Sequence, residues 1–221
     1  MKIFEKQIYH LVSLTLLLLG IGLMSRMEGF QLGQFLRLET TTWFVCALVI
    51  PILHQVYVLI VWRLELHYQW ITRSLGEKGF GLYAVGFMLL FLSRFLILVG
   101  LAISNQNTLL ANPWIPRSFA LILLPPLIYV LHSTLRYFGL KRALGVDHFD
   151  PSYRGESLAQ RGIFKYLRNP MYSLGLLSLW IPGLIWVSKA ALLAALFGHL
   201  YIWVHYFFTE VPDMKRIYGE I

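Results

Sequence analysis

Long apolar runs constrain this chain more than any other feature of its sequence. Four runs have the length of about 20 residues that crosses a bilayer as a helix, and a fifth is long enough for two crossings. These runs extend over about Ile8–Met24, Thr42–Trp62, Phe80–Ile103, Phe119–Tyr137 and Pro170–Phe208. A tight turn at Ser188-Lys189 would divide the last run into a helical hairpin. We therefore predict an all-α, polytopic integral membrane protein with about six transmembrane helices.

The composition agrees with a membrane protein. Of the 221 residues, 57% are hydrophobic and 14% are charged, whereas about a quarter of the residues of a soluble domain are charged. Because no repeat or linker divides the chain, we predict a single membrane domain, 1–221. Its N-terminal transmembrane helices would end at about residue 138, and a second part would run from 139 to 221. Cys46 is the only cysteine, which excludes an internal disulfide.

The formal net charge of +8 indicates membrane topology rather than nucleic-acid binding. The basic residues lie mostly between the apolar runs, where they can contact anionic lipid head groups. With six spans, most Lys and Arg residues fall on one side of the membrane, and only Arg26, Arg37, Arg117 and Lys189 fall on the other. The positive-inside rule then places both termini and the polar segment 139–169 in the cytosol. The membrane can be a bacterial inner membrane or an endoplasmic reticulum.

The polar segment ends in a basic stretch that becomes apolar at Pro170. Arg161, Lys165 and Arg168 precede the change. Asn169 and Pro170 suit the N-cap and the first position of a helix. A helix N-terminus beside several cations can bind a carboxylate or a phosphate. We therefore expect an anion-binding pocket at this membrane surface.

The last apolar run ends with a stripe of polar and aromatic side chains. His199, Trp203, Tyr206 and Glu210 follow spacings of four, three and four, so they share one helix face. A tight hairpin brings its two ends together, and Arg168 should therefore lie near Glu210. Two interpretations stay open: a salt bridge that closes the hairpin, or a site that offers both signs of charge to a zwitterionic amino-acid group.

Residues 162–175 follow the pattern Gly-x-Phe-x-Tyr-x-Arg-Asn-Pro-x-Tyr-x-x-Gly. This pattern resembles the signature of a superfamily of membrane methyltransferases. That superfamily includes the isoprenylcysteine carboxyl methyltransferases and the phospholipid (phosphatidylethanolamine) N-methyltransferases. Asn169 stands where many members have His, and Glu210 is single where many members have paired acids. Glu210, followed by Tyr218-Gly219, resembles the family's C-terminal acidic region. The matching signature residues are Gly162, Phe164, Tyr166, Arg168, Asn169, Pro170, Tyr172 and Gly175.

The resemblance implies an S-adenosylmethionine-dependent methyltransferase that needs no metal. Arg168 and the helix start would hold the carboxylate of the cofactor, and Glu210 would hold its ammonium group. Tyr172, Trp203 and Tyr206 would surround the sulfonium, because a cation favours aromatic faces. The expected cofactor-binding residues are Gly162, Tyr166, Arg168, Asn169, Pro170, Tyr172, Gly175, His199, Trp203, Tyr206 and Glu210.

The resemblance also implies a membrane-embedded, lipid-like acceptor. The acceptor most compatible with the resemblance is the amine of phosphatidylethanolamine, and the next is a prenylated cysteine carboxylate or a small thiol. An amine must lose a proton before it is methylated, and His205, His199 and Glu210 are the candidate bases. The expected catalytic set is therefore Arg168, Glu210 and His205. Membrane lipids are the expected partners, and nucleic acid is not.

Two other classes of function remain as alternatives. A sterol-type reductase that binds NADPH has a similar topology and a related Arg-x-x-Asn-Tyr motif. In this chain, however, Pro170 and Met171 separate Asn169 from Tyr172, which counts against that class. The other alternative is a non-catalytic membrane scaffold that kept the fold.

Other polar residues receive a structural interpretation. Asp147–Asp150 is expected to form a solvated loop in which Asp150 caps the next turn, although a role for His148 or the nearby Arg142 stays open. Arg94 lies deep in the third run, and we expect its side chain to snorkel to the far interface. His54 and His132 lie within spans and should form interhelical hydrogen bonds.

Overall fold

The computed structural model describes residues 3–26, 30, 33–109, 112–153, 155–157 and 159–219. In this part of the chain nearly all regular structure is helical, and the strands form one short antiparallel pair, β1 (Gln34–Phe35) with β2 (Leu38–Glu39). The α-helices are α1 (Gln7–Met24), α2 (Thr40–Tyr68), α3 (Trp70–Leu75), α4 (Lys78–Ser104), α5 (Trp114–Ser133), α6 (Leu140–Ala143), α7 (Pro170–Ser173), α8 (Ile181–Ile185), α9 (Lys189–His205) and α10 (Val211–Tyr218).

Among the residues that the structure describes, five helical segments are long and apolar enough to cross a membrane. They match the four long apolar runs and the second arm of the predicted hairpin. The prediction of an all-α, polytopic integral membrane protein is therefore confirmed. The five segments are Gln7–Met24, Thr40–Tyr68, Lys78–Ser104, Trp114–Phe138 and Lys189–Tyr218.

The first arm of the hairpin is helical but broken into short pieces. After α7, a 3₁₀ segment covers Gly175–Trp180, and α8 follows it. Pro182 lacks the N–H that a continuous helix would need. Gly183 approaches α9 so closely that a Cβ would lie 2.8 Å from the Leu192 side chain. The arm thus runs through the apolar region without forming one continuous helix.

The turn of the hairpin lies where the sequence places it. Ser188 is the N-cap of α9, and its Oγ accepts a hydrogen bond from the Ala191 N–H at 3.2 Å. The Oδ1 of Asn105, at the end of α4, accepts hydrogen bonds from the Ala190 N–H at 3.0 Å and from the Ser188 hydroxyl at 3.1 Å. These bonds satisfy backbone groups at the helix start that have no partner within the helix.

Two of the long helices end in π-helical turns. Helix α5 continues into Thr134–Phe138, and α9 continues into Tyr206–Glu210. π-Helical turns are rare in proteins, and those that occur often lie at functional sites. Both turns contribute residues to the cavity described below.

The core of the bundle is built around α9, which packs against α1, α2 and α4. Small side chains on its buried face let the neighbouring backbones approach closely. Larger apolar residues, including Leu101 of α4 and Phe197 of α9, fill the remaining space. The small buried residues are Ala190, Ala191, Ala194, Ala195 and Gly198.

Arg94 does not snorkel, so that prediction is wrong. The residue is 4% exposed, and its Nη2 donates a hydrogen bond to the Gly198 carbonyl oxygen at 3.5 Å. Helix α4 turns Arg94 toward α9 instead of toward lipid. Gly198 leaves room for the guanidinium, because a Cβ there would lie 3.2 Å from the Arg94 Nη2.

The histidines of the spans pack against aromatic rings. His54 is buried, and neither of its ring nitrogens has a hydrogen-bond partner among the described residues. Its ring meets that of Phe87 edge-on, with 4.5 Å between the centroids. His132 is exposed, and its ring lies 6.1 Å from that of Tyr137. The predicted interhelical hydrogen bonds are therefore absent from the described part of the chain.

Candidate functional site

A cavity lies where the basic stretch, the two π-helical turns and α10 meet. Its volume, including the part that is open to solvent, is about 930 Å³. Five of the residues expected at the site line it: Arg168, Asn169, Tyr172, Tyr206 and Glu210. The other lining residues are Trp62, Phe138, Arg142, Ala143, Gly145, Asp147, Ala159, Phe164, Met171, Val211, Met214 and Lys215.

Glu210 is fixed in the cavity wall by Tyr172. The Tyr172 hydroxyl donates a hydrogen bond to Oε2 of Glu210 at 2.6 Å. The Tyr172 ring meets Tyr206 edge-on at 5.9 Å, and it meets Trp203 edge-on at 6.1 Å. Trp203 supports these rings without lining the cavity. The result is a carboxylate set beside aromatic faces, which suits a bound cation.

Arg168 lines the same cavity from the opposite arm of the hairpin. It is exposed, and it forms no hydrogen bond or ion pair with any residue that the structure describes. The expected proximity of Arg168 and Glu210 is seen as shared lining of one cavity. The salt bridge between them, one of the two open interpretations, is not formed within the described chain. Both charges can therefore face a ligand.

The predicted helix start at Pro170 is present, but the helix is a single turn. Pro170 occupies the first turn of α7, and Asn169 is its N-cap residue without a side-chain capping bond. The Asn169 carbonyl oxygen instead accepts the N–H groups of Tyr172 and Ser173 at 3.2 and 3.0 Å. A single turn has little macrodipole, so the positive potential here comes mainly from Arg168.

Gly162 places the basic stretch against the end of α5. Its φ is +60°, and a Cβ would lie 2.6 Å from the Tyr137 ring and 2.7 Å from Ser133 Oγ. The neighbouring Ile163 N–H donates a hydrogen bond to Ser133 Oγ at 3.2 Å. A side chain at this position would therefore push the stretch away from α5. The close contact and the positive φ explain why this position of the signature is a glycine in this fold.

Phe164 continues the attachment to α5. Its ring stacks on that of Phe138 with 5.1 Å between centroids and an interplanar angle of 11°. Both rings line the cavity. Further along the signature, Gly175 would place a Cβ 3.5 Å from Val130, which is an ordinary contact distance.

The remaining expected residues lie outside the cavity wall. Tyr166 is 72% exposed. His199 accepts a hydrogen bond from the Trp180 indole at 3.2 Å. His205 is buried on another face of α9, with ring centroids 6.0 Å from His10 and 6.1 Å from Trp62. Of the three candidate bases, Glu210 lines the cavity and the two histidines do not.

Asp147 is a cavity residue that the sequence interpretation missed. Asp147 and His148 are each 4% exposed, so the prediction of a solvated loop is wrong for this pair. Gly145, with a φ of +85°, lets the loop press against Trp62, because a Cβ there would lie 2.5 Å from the indole. Only the expected cap is as predicted: Asp150 Oδ1 accepts the Ser152 N–H at 2.9 Å.

Hydrogen bonds keep the Asp147 carboxylate ionised. Burial alone would raise the pKa of this carboxyl group, and it is the largest single influence. His148 at 3.1 Å, the Tyr218 hydroxyl at 2.8 Å and the nearby Arg142 together outweigh it, so the pKa lies below its ordinary value. The cavity therefore contains a second carboxylate besides Glu210.

Arg142 is held in the cavity wall by aromatic rings. Its guanidinium lies 5.2 Å from the Tyr153 ring centroid, 5.3 Å from that of Tyr218 and 5.9 Å from that of Phe138. Its Nε donates a hydrogen bond to the Tyr218 hydroxyl at 3.1 Å. The sequence left open whether Arg142 has a role at the site. In the structure Arg142 lines the cavity close to Asp147.

Behind the cavity wall, a buried ion pair joins the N-terminal helices to α10. Arg63 of α2 donates to the Asp213 carboxylate at 2.7–2.8 Å, and both side chains are fully buried. His148 stacks on Trp62 at 4.0 Å, and its Nε2 lies 3.9 Å from Asp213. These buried groups behind the wall, unlike Arg168 in the wall itself, each have a neighbour of opposite charge.

The comparisons agree with the resemblance. Residues 116–221 match the family model described as phospholipid methyltransferase. The resemblance to that superfamily is confirmed for this part of the chain. The matched region begins in α5, earlier than the signature itself. This agrees with the packing of Gly162 and Phe164 on the end of α5.

Curated relatives cover the same part of the chain. A phosphatidylethanolamine N-methyltransferase of Scheffersomyces stipitis is 29% identical over 120 residues, which are 52% of this chain and 13% of that protein. The protein of the same name from Candida tropicalis is 31% identical over 122 residues, again 13% of its length. One from Chaetomium globosum is 36% identical over 63 residues, 28% of this chain and 7% of the relative. This chain therefore spans a small part of these relatives. No solved structure matches the chain.

Proposed function

We propose that this protein transfers a methyl group from S-adenosylmethionine to the amine of a membrane phospholipid of the phosphatidylethanolamine type. The observation that carries the proposal is the placement of a basic and an acidic side chain in one cavity: Arg168 and Glu210 both line it and form no ion pair with each other. The family match over residues 116–221 and the names of the curated relatives support the same reaction class.

The cavity residues fit the cofactor. Arg168 can bind the carboxylate of its methionine part through charge-assisted hydrogen bonds. Tyr172 engages Oε2 of Glu210. The other oxygen of Glu210 can bind the ammonium. Tyr172 and Tyr206 offer ring faces and edges to the sulfonium. When bound, S-adenosylmethionine supplies an electrophilic methyl group on this sulfonium.

The chain's own residues would position the acceptor. Asp147 is ionised and faces the same cavity, so it can hold the ammonium form of a lipid amine near the donor. A proton must pass from that ammonium to a carboxylate or to water, because only the free amine has the lone pair that attacks. Methyl transfer to the free amine would form an N–C bond while the S–C bond of the donor breaks, and the electron pair of the S–C bond would stay on sulfur. Alignment and exclusion of water are then the main tasks of the protein.

We also propose that the cavity lies at the cytosolic face of the membrane. Arg142, Arg168 and Lys215 line the cavity. Arg161 and Lys165 are exposed nearby in the basic stretch. By the positive-inside rule this side of a membrane protein faces the cytosol. The cofactor would therefore enter from the cytosol and the lipid from the bilayer.

Labelled S-adenosylmethionine tests the proposal. Membranes of a host without phospholipid methyltransferases, with and without this protein, are incubated with the labelled methyl donor. Lipid, protein and volatile fractions are then separated. Label in the lipid amine is expected. Label in protein or in a volatile thioether would point to a prenylcysteine or a thiol acceptor instead, and no label in any fraction would overturn the proposal.

Variants of the two charged residues make the test specific to the cavity. Arg168→Ala and Glu210→Gln should each weaken cofactor binding roughly 10- to 100-fold, since each removes a charge-assisted contact. Arg73→Ala is the matched control, because Arg73 is exposed on α3 and lies outside the cavity lining. Circular dichroism and size-exclusion chromatography in detergent report whether the variants stay folded. Equal cofactor affinity in all four proteins would contradict the assignment of these two residues.

A further inference from the structure

We infer that a second, polar pocket beside the cavity binds the phosphate of the acceptor lipid, with Arg161 as its main contact. This inference rests on the proposed function and adds a specificity-determining residue to it. The pocket, called here the side pocket, is lined by Tyr137, Arg142, Ser157, Ala159, Gln160 and Arg161.

The side pocket adjoins the main cavity. Arg142 and Ala159 line both spaces, so a ligand can extend from one into the other. In an ethanolamine head group two carbons separate the amine from the phosphate ester oxygen. An amine that lies in the main cavity therefore has its phosphate only a few bonds away. Arg142, in the shared wall, is close to Asp147, because the Tyr218 hydroxyl accepts from Arg142 Nε at 3.1 Å and donates to Asp147 at 2.8 Å.

The charges of the side pocket favour an anion. Two of its lining residues are arginines and none is acidic. Arg161 is exposed and makes no hydrogen bond or ion pair with the residues described by the structure. A guanidinium presents several N–H donors in one plane, which matches the oxygens of a phosphodiester. The Gln160 amide and the Tyr137 hydroxyl are further donors in the same lining.

Arg142 supplies an independent observation in the shared wall. Its Nη2 atom is buried and has no hydrogen-bond partner in the described chain, although the Glu156 carboxylate lies 3.5 Å away. Its Nη1 donates to the Ser157 carbonyl oxygen at 3.4 Å. A buried guanidinium N–H without an acceptor is unfavourable. A phosphate oxygen in the side pocket would provide that acceptor in competition with Glu156, which is the acidic group nearest to Arg142.

The surface of α5 next to the side pocket suits the acyl chains. Exposed apolar residues recur along this helix at spacings of three and four, so they form one stripe. The stripe leads toward His132, whose ring lies 6.1 Å from that of Tyr137 in the side pocket. An amphiphile with an anionic head and apolar tails would find matching surfaces in this order. The stripe consists of Leu121, Leu124, Ile128 and Leu131, and the exposed Leu135 follows it in the π-helical turn.

Arg161→Gln tests the inference, with Arg73→Gln as the matched control. Both changes remove one exposed positive charge, but only Arg161 lines the side pocket. With short-chain phosphatidylethanolamine as acceptor, the KM for the lipid should rise about tenfold in Arg161→Gln, the effect of losing one charge-assisted hydrogen bond. The KM for S-adenosylmethionine should stay within twofold. An unchanged lipid KM, or a rise in the cofactor KM instead, would overturn the inference.

Equilibrium binding separates this inference from the proposed function. Labelled short-chain phosphatidylethanolamine is bound to the purified protein in detergent, with a long-chain alkylamine as the probe that lacks phosphate. Arg161→Gln should weaken binding of the phospholipid about tenfold and leave binding of the alkylamine unchanged. This result can be obtained whether or not the protein methylates lipid. Equal weakening of both probes would overturn the phosphate assignment while the methyltransferase proposal stood.

Competition with inorganic phosphate distinguishes a lipid phosphate from a free phosphate. If the side pocket serves the lipid, millimolar inorganic phosphate should displace little phosphatidylethanolamine, because the acyl chains and the amine contribute to binding. Displacement of the lipid at micromolar phosphate, lost in Arg161→Gln, would show a site for the free ion and would contradict the lipid assignment.

Discussion

The N-terminal half (residues 3–109) and the C-terminal half (residues 112–219) of the described chain use charged side chains in opposite ways. In the N-terminal half, both oxygens of Glu65 accept hydrogen bonds from the start of α3: the N–H groups of Ile71 and Thr72 at 2.9 and 3.1 Å, and the Thr72 hydroxyl. In the C-terminal half, Glu210 has Tyr172 as its hydrogen-bond partner and otherwise faces the cavity. One glutamate is a structural cap, and the other is available to a ligand.

The arginines repeat this difference. Arg63 is fully buried and binds the Asp213 carboxylate together with the carbonyl oxygens of Ile3 and Thr209. Arg168 is exposed in the cavity wall and has no partner among the described residues. A buried polar group without a partner is costly, so an apolar environment selects for complete pairing. Arg168 is exposed to solvent, so its lack of a protein partner carries no such cost and leaves its guanidinium available to an anion.

Helix regularity follows the same division. Helices α2 and α4 run without interruption for 29 and 27 residues. In the C-terminal half, α7, the 3₁₀ segment and α8 are short, and α5 and α9 end in π-helical turns. Long regular helices satisfy their own backbone in a bilayer. The irregular half instead directs side chains of several short elements into one cavity.

The largest effect is expected where the halves join, at the Arg63–Asp213 ion pair. Asp213→Ala leaves a fully buried guanidinium without its carboxylate and should lower the free energy of unfolding by about 3–5 kcal/mol. Glu156→Ala is the control: it also removes an acid that lies near an arginine, but this side chain is 54% exposed, and such pairs contribute about 1 kcal/mol or less. Thermal unfolding in detergent measures both. Equal stability of the two variants would break the comparison of the halves.

Much of this arrangement can be predicted from the sequence. Apolar run length gives the spanning helices, because a bilayer fixes the number of residues that cross it. Helical periodicity and the hairpin turn bring Arg168 and Glu210 to one mouth. These are local rules, and they depend on a short stretch of chain at a time.

The remaining part depends on contacts between distant residues. The burial of Asp147 is set by Tyr218 and by the packing of Gly145 on Trp62, which lies 83 residues before Gly145 in the chain. The position of Arg94 follows from the absence of a side chain at Gly198. The π-helical turn that ends at Glu210 changes the helical period where the polar and aromatic stripe of α9 reaches the cavity. No local pattern shows these features.

A smaller effect is expected at Gly162, where the basic stretch packs against the end of α5. Gly162→Ala adds a Cβ 2.6 Å from the Tyr137 ring in a left-handed backbone conformation, whereas Gly155→Ala meets no atom within 4 Å at a similar positive φ. In both variants an alanine must adopt a left-handed backbone conformation, which should lower the free energy of unfolding by about 1–2 kcal/mol. Only Gly162→Ala should add a packing cost of about 1–3 kcal/mol. Urea unfolding and cofactor binding measure the difference, and identical behaviour would mean that the stretch is not held against α5.

The smallest effect is a pH dependence that belongs to Asp147. Its pKa is lowered in the folded state, so its hydrogen bonds stabilise the fold above the ordinary carboxyl pKa of about 4, and this contribution is lost as the pH falls through the lower folded value. The melting temperature of the unaltered protein should therefore fall more steeply below about pH 4 than that of Asp147→Asn, which cannot titrate at this position. The difference between the two melting temperatures isolates this group from the other carboxylates. A constant difference from pH 7 down to pH 3 would contradict the ionised state of Asp147 and would remove the hydrogen-bonded carboxylate from the description of the cavity.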